Sequence, residues 1–226
     1  MRVSEKEVSQ LMEDHADVIA KLGNQKIETD AHNLAAGIAL QKTFAKHGIT
    51  HALSFHSSIK RAEVFAKQQE AFSDRLDSSG EIINTTISSK LTAGQRSQLL
   101  QDFTDEDLAL ITNARCLTEG VDIPSIDCVT FVDPKQSRVD IVQAAGRAMR
   151  QSKKTGKKFG YILLPIIVPV DADLKKHLDS TDFKAISRVI TTLSTHDKRI
   201  SDELKRKAGG ARSSAGDIIK EDTDII

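Results

Sequence analysis

Gln143, Arg147 and Arg150 recur at i, i+4 and i+7 within SRVDIVQAAGRAMRQ, residues 137–151. On a helix that spacing stacks them along one side. Two guanidinium forks and a carboxamide in line make an array of donors for phosphate or carboxylate. Val139, Val142 and Met149 take another side, and Ser137-x-x-Asp140 is a capping-box pattern that starts the helix. Gly146 stands beside the arginines, where glycine weakens a helix by about 1 kcal/mol relative to alanine. From Arg138 to Lys158, seven cationic residues stand against one anionic residue, Asp140. A solvated basic face accounts for the four lysines of that stretch, Lys153, Lys154, Lys157 and Lys158. It accounts less well for arginines set beside a glycine.

TEGVDIP, residues 118–124, is a second candidate. Gly120 permits close backbone approach or a positive φ, Asp122 follows it in a loop, and Pro124 fixes the exit. Alone, an ordinary loop with a solvated aspartate has the same pattern.

These residues need a frame. HALSF (51–55), EIINTTI (81–87), LALIT (108–112), CVTFV (128–132) and YILLPIIV (161–168) read as strands. Helical patterns alternate with them. One is capped by Ser57 or Ser58 and carries Ala62, Phe65, Ala66, Gln69 and Phe72 on one stripe. Another opens on Thr92-x-x-Gln95 and buries Leu99, Leu100 and Phe103. Alternating strands and helices predict βαβ units on a mostly parallel sheet in a three-layer α/β/α fold. Near-continuous apolar runs predict strands covered on both faces. Ligands of such sheets sit at the carboxyl ends of the strands. There the chain reads HSSIKRA, SSKLTAGQR, NARCLTEGVDIP and DPKQSRVD. Hydroxyl-capped helix starts on one edge point to a phosphate-rich ligand.

Residues 1–48 read as a helical N-terminal extension, with one helix from about Val3 to Leu22 and another from Thr29 or Asp30 to His47, stopped by Gly48. The α/β domain spans 49–170 and a helical extension 171–208. The tail, 209–226, is Gly/Ser-rich and then acidic, a composition expected to be flexible. Hydrophobic residues make up 39% of the 226, enough for a sizeable core, and Lys+Arg balance Asp+Glu at 32 each, so any anion site must be local. Cys116 and Cys128 carry no metal-ligand or disulfide spacing and read as free thiols; no metal site is expected. Neither a membrane-spanning run nor a signal peptide is visible, which predicts a soluble cytoplasmic chain.

LITNARCLTEGVDIP resembles motif V, and VQAAGRAMR motif VI, of the superfamily 2 helicases and translocases. HALSFHSSIKRAEVFA is similar to their motif IV region, and ISSKLTAGQRSQLLQDF to the segment that follows. Order and spacing match the second, C-terminal RecA-like domain over roughly residues 50–170. The narrow pattern Q-x-x-G-R-x-x-R, opening on Gln143, is closer to the restriction-enzyme and DExH-like branch than to the DEAD-box branch, which usually begins with His. The resemblance implies roles. Arg150 takes the arginine-finger position and Arg147 its nucleotide-contacting neighbour, while Gln143 lies near the nucleotide or the contact between domains. Gly120 and Asp122 take motif V positions, the aspartate approaching the ribose or the catalytic water. Ser57, Thr112 and Asn113, with Ser88 a weaker candidate, take positions that contact the nucleic-acid backbone.

No G-x-x-x-x-G-K-[ST] and no DE-x-[DH] occurs in the chain. In the family both belong to the first RecA-like domain, which holds ATP and Mg²⁺. The chain is therefore expected to be half of an active site. It would hold no cofactor tightly and be inactive as an ATPase alone, with nucleic acid (DNA before RNA) and the first domain as partners, and no membrane. A non-catalytic module binding nucleic acid or protein on the same scaffold is the alternative; the retained pair Arg147 and Arg150 speaks against it. A small-molecule enzyme of doubly wound fold would carry a glycine-rich loop after the first strand, where HSSIKR stands instead.

Overall fold

Gly48 has φ of 60°, the left-handed conformation that lets a helix stop at its C′ position. The N–H of Ile49 donates back to the Phe44 carbonyl at 3.3 Å, and the two apolar side chains share one core cluster. This Schellman closure ends α1 (Ala31–His47) and turns the chain into the first strand. The computed structural model describes residues 31–73, 81–113, 126–133, 160–165, 181–196 and 198–208, with isolated positions 9, 10, 13, 142 and 146.

Among the described residues, five strands form one sheet. They are β1 (His51–Phe55), β2 (Ile83–Ile87), β3 (Ala109–Asn113), β4 (Cys128–Phe131) and β5 (Tyr161–Leu163). Their order is β2-β3-β1-β4-β5 and every pairing is parallel. The three central strands are buried at every position, as their apolar runs predict, and β2 and β5 are partly exposed edges. β5 is shorter than its apolar run because Pro165 has no N–H to give to a ladder.

Helices cover both faces. α1 and α2 (Ile59–Ser73) lie on one, where Ala36, Leu40, Phe44 and Phe65 pack with Ala52, Leu110 and Cys128. α3 (Ala93–Asp105), α4 (Thr181–His196) and α5 (Lys198–Ala208) lie on the other, where Phe103, Val189, Leu193 and Ile200 pack with Leu53, Phe55, Ile111 and Val129. The three-layer α/β/α fold read from the sequence is thus present. α1 falls in the stretch read as an N-terminal extension, yet it is a core element, since Leu34, Ala36, Leu40 and Phe44 are buried. Of the earlier helix only positions 9, 10 and 13 are described, all helical.

Local chemistry starts α2 and α3 where the sequence places them. The Ser58 hydroxyl accepts from the Arg61 N–H at 3.2 Å, capping α2. At α3 the capping box closes in both directions: Gln95 N–H donates to Thr92 Oγ1 at 3.2 Å and Thr92 N–H to Gln95 Oε1 at 3.0 Å. α1 and α2 approach closely at Gly37, where a Cβ would collide with the Gln69 carboxamide. That carboxamide accepts a hydrogen bond from Gln41 at 3.0 Å.

Polar side chains interrupt the apolar strands in one row. Thr86, Thr112, Ser54 and Thr130 stand in register across four strands. Their alternation with Ala52, Leu110 and Cys128 puts them on the α1/α2 face. Thr86 and Thr112 hydroxyls meet at 2.8 Å, and Ser54 Oγ lies 2.9 Å from His56 Nε2. Cys128 is a buried thiol whose Sγ lies 3.8 Å from Thr130 Oγ1.

Candidate nucleic-acid interface at the carboxyl edge

β1 and β4 run side by side to the same edge and leave it together. The Asp133 N–H, just past β4, donates to the Phe55 carbonyl at 3.3 Å, and the His56 N–H donates to the Asn113 carbonyl of β3 at 2.9 Å. The loop after β1 is therefore seated between its two neighbouring strands before any side chain acts.

Asp133 then fixes that loop. Its Oδ2 accepts from the Ser57 N–H at 2.8 Å, from the Ser57 hydroxyl at 3.0 Å and from Arg61 Nε at 2.7 Å. Arg61 Nη2 meets Oδ1 at 2.6 Å and also donates to Asn33 Oδ1 at 3.1 Å. His32 Nε2 lies 2.7 Å from the Val132 carbonyl, so the first turn of α1 is tied to the same edge. Burial pushes the Asp133 carboxyl up, but the Arg61 guanidinium and the two Ser57 donors outweigh it and hold the group below the usual carboxylate range. Beside it, burial pushes the His56 imidazole down to about 4; Asp133 opposes that shift and Arg61 adds to it. At neutral pH the edge thus carries an ionised aspartate, a paired arginine and a neutral histidine.

The four backbone-contact candidates fall on this side of the sheet at different depths. Ser57 is exposed at the loop. Ser88 is buried in the turn after β2, where its carbonyl accepts from the Leu91 N–H at 3.3 Å. Thr112 is fully buried beneath the edge, bonded to Thr86, and Asn113 is the fully buried last residue of β3. Asp133, Arg61, Asn33 and His56 escape a motif reading. For Asp133, Arg61 and His56 the one sequence signal is that DPKQSRVD and HSSIKRA both follow strands that end on one edge; Asn33 has none.

Gly120 and Asp122 of TEGVDIP, and Gln143, Arg147 and Arg150, lie outside the described residues. Of the last stretch, Val142 and Gly146 are described, both helical, and a Cβ on Gly146 would meet nothing within 4 Å. No helix among the described residues is long and apolar enough to cross a membrane.

Comparison with known proteins agrees with this fold. A solved structure of the ATP-dependent Type ISP restriction-modification enzyme LlaBIII bound to DNA superposes with a TM-score of 0.73 at 26% identity, covering 91% of this chain and 14% of that one. A protein of Sulfolobus islandicus filamentous virus, named as a helicase, is 30% identical over 102 residues, 45% of this chain and 18% of its own length. A Saccharomyces cerevisiae protein named as an ATP-dependent helicase, IRC3, is 28% identical over 156 residues, 61% of this chain and 23% of its own. The chain thus spans about a fifth of the length of the curated relatives it matches. The family described as Helicase conserved C-terminal domain matches residues 39–152, which take in β1 to β4, the Asp133 loop and the Gln143–Arg150 stretch. On that match, and on a parallel RecA-like sheet of this order, the chain belongs to the helicase C-terminal domain family.

Proposed function

We propose that the chain is the C-terminal lobe of an ATP-dependent helicase or translocase, unable to hydrolyse ATP alone. The observation that carries this reading is Q-x-x-G-R-x-x-R on the chain leaving β4 of a parallel sheet whose carboxyl edge bears hydroxyls and charge. Gln143, Arg147 and Arg150 form a donor set suited to the oxygens of a triphosphate. The open space at Gly146 suits the approach of a second surface to that set. ATP with Mg²⁺, held mainly by a first RecA-like lobe, supplies phosphoanhydride hydrolysis as the energy source. Arg150 places a fixed guanidinium where negative charge develops, and Arg147 a second one beside it. Gly120 and Asp122 form the loop that meets the nucleotide from the β3 side. Ser57 and Ser88 offer hydroxyls to a nucleic-acid backbone, over a floor that Thr112 and Asn113 shape. Such contacts give little sequence selectivity and strong salt dependence. DNA comes before RNA as the ligand, given the DNA-bound Type ISP enzyme among the similar structures.

The test is direct. The purified 226-residue chain should bind single-stranded DNA with an affinity that falls steeply with salt, and should show no ATP hydrolysis above background. Hydrolysis by the chain alone would sink the half-site reading.

A further inference from the structure

We infer that Asp133 is the positioning residue of the nucleic-acid edge: its carboxylate sets the backbone of the 56–58 loop, while Arg61, itself held by Asn33, holds that carboxylate. The inference rests on the edge being a nucleic-acid surface, and it names what shapes that surface.

Three elements meet at one buried side chain, and a fourth backs it through Arg61. Asp133 leaves β4, Ser57 leaves β1, Arg61 sits in the first turn of α2, and Asn33 in the first turn of α1. Asp133 Oδ2 takes three donors and Oδ1 takes Arg61 twice, through Nε at 2.9 Å and Nη2 at 2.6 Å. A largely buried ion pair is a weak device for stability, because desolvation offsets much of the attraction. It is a strong device for geometry, because every bond to the carboxylate is directional.

The bond set also divides the labour within Ser57. A serine that binds phosphate must donate its hydroxyl proton, and here that proton is turned toward Asp133. Rotation of the hydroxyl toward a phosphate oxygen surrenders only the 3.0 Å bond; the 2.8 Å bond from the N–H keeps the loop in place. The hydroxyl moves and the backbone does not. Arg61, 33% exposed, neutralises the carboxylate, so a phosphate approaching Ser57 is not repelled by it.

The experiment pairs two readouts on the 226-residue chain. One is the affinity for a short labelled oligothymidine, by fluorescence anisotropy across a salt series. The other is hydrogen exchange of the Ser57 amide, by NMR. Asp133→Asn should lose Ser57 amide protection, bind about tenfold more weakly and show a shallower salt slope by about one phosphate contact. Ser57→Ala should keep the protection and lose less affinity, and Asp133→Glu should recover part of the loss. Should Asp133→Asn not fold, Asn33→Ala, which removes an acceptor of Arg61, should move both readouts in the same direction by less. Asp133→Asn with wild-type affinity and salt slope, or with intact Ser57 protection, overturns the inference while the edge reading stands. A wild-type chain that binds no oligothymidine at low salt overturns the edge reading, and the inference with it.

Discussion

The Ser57 N–H and hydroxyl both donate to one oxygen of Asp133, at 2.8 and 3.0 Å, so the second residue past β4 governs the first turn after β1. The other end of the same strand pair repeats the device. Asp127 Oδ2 accepts from the Thr50 N–H at 3.0 Å, the Thr50 hydroxyl at 2.7 Å and the His51 N–H at 3.2 Å. β4 therefore carries an aspartate before it and one after it, and both hold β1. Only the second lies on the carboxyl edge.

The two aspartates should separate under mutation. Asp127→Ala removes acceptors from the entry to β1 and should cost about 1–3 kcal/mol of stability, measured by urea unfolding. Oligonucleotide affinity of the folded fraction should not change. A loss of affinity as large as that of Asp133→Asn would show that the amino edge also takes part in binding.

Gly37→Ala should destabilise the chain by about 1 kcal/mol net, because the new Cβ drives the buried Gln69 carboxamide away from Gln41 at a cost that exceeds the ~1 kcal/mol returned by alanine's helix propensity. Gln69→Ala in the same chain should recover part of that loss. Unfolding transitions of the two variants and their combination check the coupling; strictly additive costs would contradict it.

Acid should unfold the protein in a predictable window. Burial holds the His51 and His56 imidazoles below their ordinary value, so the unfolded chain takes up these protons at higher pH than the folded chain does. Stability should therefore be fully present above the unfolded imidazole value, about 6.5, and fall as pH drops toward about 4, where His56 titrates in the folded state. Asp133, held below the usual carboxylate range, continues the loss below that. Urea unfolding across this range measures the slope, and His56→Gln should flatten it. An unchanged slope would mean that the histidine is not buried in its neutral form.

Gly146→Ala should leave this chain's fold intact and raise its stability by up to about 1 kcal/mol, since helix propensity favours alanine and nothing stands within 4 Å of the added carbon. In a protein with both lobes the same change should lower ATP hydrolysis, because a second surface must come close there. Full hydrolysis by that variant would remove the reason proposed for the glycine.

What the sequence made legible follows from how local each signal is. The capping box at Thr92, the stop at Gly48 and the buried run HALSF depend on neighbours a few residues away, and each stands where the sequence puts it. α1 was harder to place. Its residues 33–41 are all buried, Asn33 and Gln41 among them, so no narrow apolar stripe marks it as a core helix rather than an extension. The Asp133 cluster was harder still. Asp133 and Ser57 are 76 residues apart, and Arg61 reaches Asn33 across 28. Only the sheet order, β1 beside β4, brings them together. The pattern Q-x-x-G-R-x-x-R is local, since Gln143, Arg147 and Arg150 lie within eight residues, and these three side chains fall outside the described residues.

The steady-state ATP hydrolysis rate of a two-lobe protein carrying Arg150→Ala, at saturating single-stranded DNA, tests most directly the proposal that Arg150 completes a nucleotide site in another lobe. An arginine finger predicts a fall of about 10³-fold or more, with nucleic-acid affinity retained. A variant that keeps the full wild-type rate would contradict the account.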